Sequence, residues 1–169
     1  MLTIKFKSAL ILTLVLTFAV TCKKDDDKQN SFIVNETEFL TPNGYLWIFS
    51  PEEDGGNFDI VLTDGEYITD SALYFNWNTL VYFDFKSPST AELSSGEYVF
   101  DAAWTPNTFD DGFVVMYGLS GVSFDITDGS VYVEKTGESY EISYNITIGS
   151  STPLIGYYKG PLTEIYPTQ

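Results

Sequence analysis

The sequence contains no histidine and no arginine, and it has a single cysteine. Without histidine, the Ser-His and Cys-His pairs that activate nucleophiles cannot form, and histidine-ligated zinc sites are excluded as well. One cysteine cannot form a disulfide within the chain. The 8 basic residues, all lysine, stand against 24 acidic residues, so the net charge is −16. We expect no nucleic-acid partner, because such partners require a positively charged surface.

The residues that are abundant favour β-structure. Aromatic residues make up 17% of the 169 residues and apolar residues 44%, so the chain can form a buried core despite its charge. Tyr, Phe, Trp, Thr, Val and Ile fit pleated, half-buried surfaces. The strong helix formers are scarce beyond the N-terminus. Composition therefore predicts an all-β protein.

The N-terminus is typical of a secretory signal. Lys5 and Lys7 precede an apolar run, Ala9 to Val20, that is too short to span a bilayer. We predict a signal peptide over residues 1–21; a retained membrane anchor is the alternative. Cys22 follows directly. A free, exposed thiol is reactive and unfavourable in a secreted chain, so we predict that Cys22 is lipidated.

The residues that end at Cys22, Phe-Ala-Val-Thr-Cys, resemble a bacterial lipobox. Ala19 and Thr21 depart from the usual Leu and Gly or Ala, so cleavage after Thr21 without lipidation is the alternative. Lipoproteins of this kind carry several acyl chains, palmitate among them, which together anchor a protein stably in a membrane. We therefore predict that acyl chains attached to Cys22 anchor the protein in a membrane.

A charged segment follows the cysteine. Residues 22–30 have no apolar residue after Cys22 and are predicted to form a solvated tether. The Lys/Asp-rich run from Lys23 to Lys28 resembles the surface-export signal of Bacteroidota lipoproteins; a plain linker is the alternative. The resemblance implies a lipid-anchored protein of the outer membrane that faces the cell exterior.

Residues 31–169 are predicted to form a single β-domain. Residues Tyr140–Ile148 alternate apolar and polar side chains, as in a strand with one buried face, and Gly137 is predicted to join that strand to one over Ser130–Lys135. Asp64-Gly65, Asp111-Gly112 and Asp128-Gly129 are typical of turns. About nine to eleven short strands predict an antiparallel β-sandwich or a lipocalin-like barrel. Residues 66–77 are ambiguous, and a short helical turn is one interpretation.

Several segments resemble small, uncharacterised Bacteroidota surface lipoproteins. These are Gly129–Val133, Tyr140–Ile142, a closing strand over Leu154–Leu162, and a strand entry over Leu93–Tyr98. The resemblance is best in the C-terminal third. It implies a lipocalin-like or sandwich fold and a surface location, and it implies no activity.

The candidate ligand-binding residues are Trp104, Phe109, Asp110 and Asp111, in a segment from Ala102 to Phe113 that contains Pro and Gly and is predicted to be a loop. A tryptophan beside carboxylates suits sugar stacking or a protein contact; a ring that caps the core is the alternative.

Two further sites are considered. Ser71, within Asp70-Ser71-Ala72, resembles the O-glycosylation motif of exported proteins in these bacteria. The acidic segment before Asn57 lacks the ligand spacing of a calcium-binding EF-hand loop, so we predict neither a metal nor a cofactor.

Three functions are compatible with these observations. The preferred one is a small, non-catalytic binding module for a neutral glycan or a protein partner. The alternative is a structural or accessory envelope lipoprotein without a small-molecule ligand. A carboxylate-dependent glycosidase is the least favoured, because the sequence places no pair of acids across a cleft.

Overall fold

The computed structural model describes residues 28–49, 51, 54–68, 74–75, 77–117 and 121–167. Within these ranges the chain forms strands and no helix, so the predicted all-β class is confirmed. The strands are β1 (Ser31–Val34), β2 (Thr37–Leu40), β3 (Asn43–Ile48), β4 (Gly56–Thr63), β5 (Tyr67–Ile68), β6 (Tyr74–Phe75), β7 (Leu80–Ser87), β8 (Gly96–Phe100), β9 (Thr108–Met116), β10 (Val122–Thr136), β11 (Ser139–Ile148), β12 (Thr152–Pro161) and β13 (Thr163–Ile165).

Eleven of these strands form one curled sheet with the shape of a half-barrel. The strand order is β13-β3-β4-β7-β9-β8-β10-β11-β12-β1-β2. The predicted antiparallel sandwich is not observed, because the sheet is single and mixed: β13 pairs with β3, and β8 with β9, in parallel. Among the described residues, no helix has the length and apolarity needed to cross a membrane.

The concave face of the sheet holds the main core. Strand β11 shows the predicted alternation: Tyr140, Ile142 and Tyr144 are buried while the residues between them are at least partly exposed. Burying one such aliphatic side chain contributes about 1.5–3 kcal/mol to folding. The core extends around the curl from Phe32 in β1 to Leu46 in β3.

Strand β10 is longer than the sequence predicted. Asp128-Gly129 was expected to form a hairpin turn, but β10 continues through it with a β-bulge. Gly129 has a φ of 121° and its Cα packs against the backbone of Asn145, where a Cβ would not fit. The bulge bends the strand, and β10 pairs first with β9 and then with β8.

The two ends of the sheet approach each other where β12 leads into β13. Leu162 and Tyr158 lie against Gly44 of β3, where a larger residue would collide with both side chains. Strand β13 then pairs with β3 at the opposite end of the sheet from β1 and β2.

Other turn predictions are partly correct. Asp64 and Gly65 form a bend directly after β4, and Gly137 lies in the β10–β11 turn. Asp111-Gly112 lies inside β9, so the turn predicted there is wrong. The described ends of the ambiguous 66–77 segment form the β5–β6 pair rather than a helical turn.

The half of the sheet made by β3, β4, β7 and β9 is also covered on its outer face. A second apolar cluster forms there from Tyr45, Trp47, Val61, Leu80, Val115 and Ile165. Polar groups on this face are therefore partly removed from water, which determines the chemistry of the site.

Candidate functional site

Strand β9 separates the predicted site residues onto two faces of the sheet. Phe109 is fully buried in the main core, with its ring edge against Phe83. Asp111 is exposed and Asp110 is half-buried. The register shifts between Asp84 and Phe85, so that Asp110 is the extra residue of a β-bulge.

The bulge brings Asp110 and Asp111 beside two more carboxyl groups. Across the outer face, Asp111 of β9 pairs with Asp84 of β7, which pairs with Asp59 of β4. We call Asp59, Asp84, Asp110 and Asp111 the acidic row. Trp47 of β3 stands beside Asp59 at one end of the row.

The inner part of the row retains a proton near neutral pH. The Tyr82 hydroxyl donates to Asp59 Oδ2 at 2.9 Å, and Asp59 and Asp84 are direct neighbours on β4 and β7. Burial raises the pKa of Asp59 to about 6. Burial, and then the adjacent charge of Asp59, raises the pKa of Asp84 to about 8. A carboxyl is neutral below its pKa, so the row carries less charge than four separate aspartates would.

The outer part of the row is more accessible. Burial, reinforced by the charge of Asp111, raises the pKa of Asp110 above its ordinary value. Burial and the neighbouring charges of Asp59 and Asp84 raise the pKa of Tyr82, so its phenol stays protonated and remains a hydrogen-bond donor. Asp111 and Asp110 offer oxygen acceptors at the surface.

Aromatic rings border the row on one side. Tyr82 and Phe113 are directly paired on β7 and β9 and stack with their ring centres 5.0 Å apart. Both rings are half-buried. The face therefore combines carboxyl acceptors with partly exposed ring surface.

Trp104 lies beside this face on the loop between β8 and β9. Its half-buried ring is 5.7 Å from the ammonium group of Lys86, which is 1% exposed and forms a 2.7 Å ion pair with Asp54. The loop is fixed by an Asn107 N–H that donates to the Lys86 carbonyl at 2.8 Å. Trp104 has a φ of 49°, a strained value for a non-glycine residue. The ring therefore covers a buried lysine and is held in one place.

The arrangement limits the chemistry that the row can perform. Glycoside hydrolases hold their two carboxyl groups about 5–9.5 Å apart across a cleft that admits a sugar or water, whereas Asp59 and Asp84 are direct neighbours on adjacent strands and Asp59 is buried. In the ranges that the structure describes, no group of three or more His, Cys, Asp or Glu side chains is placed to hold a metal ion.

Some sequence predictions fall outside the described residues. These are the signal peptide over residues 1–21, the lipidation site Cys22, most of the tether, and Ser71. The glutamates of the acidic loop before Asn57 also lie outside them.

Sequence reasoning missed Asp59, Asp84, Tyr82 and Phe113 as members of the site. A signal was present, because Asp59 and Asp84 each stand between two large apolar residues within a strand. An acid in such a setting needs a partner, but the sequence does not say that the two acids are neighbours.

Comparison with known protein families, with curated proteins and with solved structures finds no match to this chain.

Proposed function

We propose that this protein is a lipid-anchored outer-membrane surface protein whose β-domain binds a neutral glycan without catalysis. The signal sequence, Cys22 and the charged tether support the location. The curled sheet favours the lipocalin-like alternative over the sandwich. The observation on which the binding proposal rests is the position of the Trp104 ring over Lys86, which lies two residues along β7 from Asp84 of the acidic row.

The chemistry of this face suits a sugar. The faces of pyranose rings present C–H groups that pack on aromatic rings, and their hydroxyls donate to carboxylates such as Asp110 and Asp111. Trp104, Tyr82 and Phe113 supply ring surface, and all three are half-buried. Loops and strand ends on a rigid sheet commonly position binding residues in this way.

Charge restricts the ligand. With a net charge of −16, the protein repels anionic partners at long range. The acidic row adds local repulsion on the same face. A neutral ligand is therefore favoured over an acidic polysaccharide.

The close contact of Asp59 and Asp84 supports a non-catalytic role. Asp59 is buried directly opposite Asp84 on the neighbouring strand, so its carboxyl is not open to a glycosidic oxygen or an attacking water. Asp110 and Asp111 are available to accept hydroxyl hydrogen bonds, which is a binding role.

Replacement of Trp104 tests the proposal. Trp104→Ala should weaken binding of a glycan identified on an array by about tenfold, the equivalent of about 1.4 kcal/mol. Titration calorimetry measures the loss, and Trp104→Phe should recover part of it.

The stability of the same variants is the control. Trp104→Ala removes a ring from a buried lysine, so the free energy of unfolding should fall by only about 1 kcal/mol. Normal glycan affinity in Trp104→Ala, or an array without a single bound glycan, would overturn the proposal. A loss of binding that follows the loss of folded protein would place Trp104 in a structural role.

A further inference from the structure

A groove of about 480 Å³ lies on the other half of the sheet, on the outer face of β10, β11, β12 and β1. Its volume is within the roughly 300–1,000 Å³ typical of small-molecule sites. We call it the tyrosine groove, because Tyr132 and Tyr157 line it together with Ser143, Asn145 and Ser130.

The two tyrosines flank a gap. Tyr132 of β10 pairs with Ser143 of β11, and Ser143 pairs with Tyr157 of β12. One strand therefore separates the two tyrosines, and neighbouring strands are about 4.8 Å apart, so their backbones are about 10 Å apart. The small Ser143 side chain leaves the space between the rings open.

The Tyr157 ring is held in place before any ligand arrives. Its hydroxyl donates to Glu141 Oε1 at 2.9 Å, and Glu141 also pairs with Lys159 at 2.8 Å. The Lys28 ammonium lies 4.9 Å from the ring centre. Tyr132, by contrast, is 49% exposed. Fixing a contact residue in advance reduces the entropy lost on binding.

The polar lining is available to a ligand. The side chains of Ser130, Ser143 and Asn145 form no hydrogen bond with any other residue in the described part of the chain. They present two hydroxyls and one amide, which can each donate and accept. The charged side chains of the lining are one lysine, Lys28, and one glutamate, Glu38, so the groove has no net charge.

We propose that the tyrosine groove is a second binding site, for the pyranose rings of a neutral saccharide seated between Tyr132 and Tyr157 above Ser143. Tyrosine rings at both sides, the exposed side chains of Ile33 and Ile155, and the hydroxyls and amide between them match an uncharged ligand that has both C–H faces and hydroxyls. A purely apolar partner would leave Ser130, Ser143 and Asn145 without hydrogen-bond partners on burial. The site is separate from Trp104 and does not depend on it.

The test uses the full mature domain with ¹³C-labelled tyrosine rings and a panel of neutral hexasaccharides: cellohexaose, maltohexaose, mannohexaose and xylohexaose. At least one should shift the Tyr132 and Tyr157 ring resonances in a saturable way. Tyr132→Ala and Tyr157→Ala should each weaken that saccharide about tenfold. Tyr166→Ala is the matched control, because Tyr166 is 65% exposed and lies outside the groove.

The outcomes separate the two sites. Shifts of the Tyr132 and Tyr157 resonances that persist in Trp104→Ala support the groove as a site independent of Trp104. If none of the four saccharides shifts either tyrosine at 10 mM, or if Tyr132→Ala and Tyr157→Ala bind as tightly as Tyr166→Ala, the groove is not a saccharide site. Shifts confined to Tyr82, which borders the acidic row, would leave the proposed function standing and overturn the groove. Melting temperatures of the variants exclude unfolding as the cause.

Discussion

Among the described residues, no lysine forms an ion pair with Asp59 or Asp84. The sequence has no arginine, and the nearby Lys86 forms an ion pair with Asp54 instead. A proton retained on the pair, together with the Tyr82 hydroxyl, takes the place of a counter-ion. The native state is therefore most stable when that proton is present.

Stability should depend on pH for this reason. The pKa values of about 6 and about 8 lie above the ordinary value of 3.8, so the folded state binds a proton more tightly than the unfolded chain. The stabilisation is complete below about pH 4 and is lost as the pH rises to about 8. Asp84→Asn should remove most of this loss, because an amide donates to Asp59 without ionising.

Urea unfolding at pH 5, 7 and 9 measures the effect. Between pH 5 and pH 9, the free energy of unfolding of Asp84→Asn should rise by about 2 kcal/mol relative to that of the wild type. This figure is discounted for solvent screening, because Asp84 is partly exposed. Asp128→Asn, at an exposed position of β10, is the control and should gain little. A difference in the free energy of unfolding between the wild type and Asp84→Asn that stays constant with pH would contradict the retained proton.

Only part of the site was predictable at the scale of residues. Phe109 and Asp111 are two apart, so simple alternation predicts the same face of a strand. The bulge at Asp110 puts them on opposite faces. The neighbours Asp59 and Asp84 are far apart in the chain, and only the pairing of β4 with β7 brings them together.

Elements with one buried face were the best predicted. Strand β11 was predicted from its alternation of polar and apolar residues. The structure shows the same alternation between exposed and buried side chains. Turn signals were less reliable, because Asp-Gly also suits a bulge or a close contact. Gly112 lies inside β9, where a Cβ would meet the Ile126 side chain at 2.7 Å, so its role is packing rather than turning.

Consecutive positions of β11 provide a matched pair for testing the register. Ile142→Asp should destabilise the fold by about 3–5 kcal/mol, because Ile142 is fully buried and the new carboxylate would have no partner. Ser143→Asp introduces the same residue at an exposed position and should change the free energy of unfolding by about 0.5 kcal/mol or less. Chemical denaturation measures both. Equal losses would mean that β11 buries both faces.

The proposed location of the whole molecule depends on its N-terminal residues, whose chemistry can be tested directly. If Cys22 is the anchor, Cys22→Ala should abolish labelling with an alkyne fatty acid and move the protein from the membrane pellet to the soluble fraction. Two or more acyl chains anchor a protein stably, so the shift should be nearly complete.

The controls for the anchor use the charged run. Replacing Lys23 to Lys28 with Gly and Ser should leave fatty-acid labelling intact but reduce cleavage by protease added to whole cells. Membrane association of Cys22→Ala equal to that of the wild type would end the lipoprotein proposal. Unchanged protease access would make the run a plain linker.

The sheet joins residues from the two ends of the described chain. Asn30 and Lys159, 129 residues apart, exchange hydrogen bonds of 3.2 and 2.7 Å beside the pairing of β1 with β12, and β13 pairs with β3. A nascent chain that lacks its last twenty residues therefore leaves β1 with β2 as its one neighbouring strand and leaves the outer edge of β3 unpaired. The sheet is complete only after β12 and β13 have been synthesised, and its long-range contacts favour a slow, millisecond-to-second folding process. If the N-terminal signal directs export, as we propose, slow folding would keep the chain unfolded for its passage through a secretion channel.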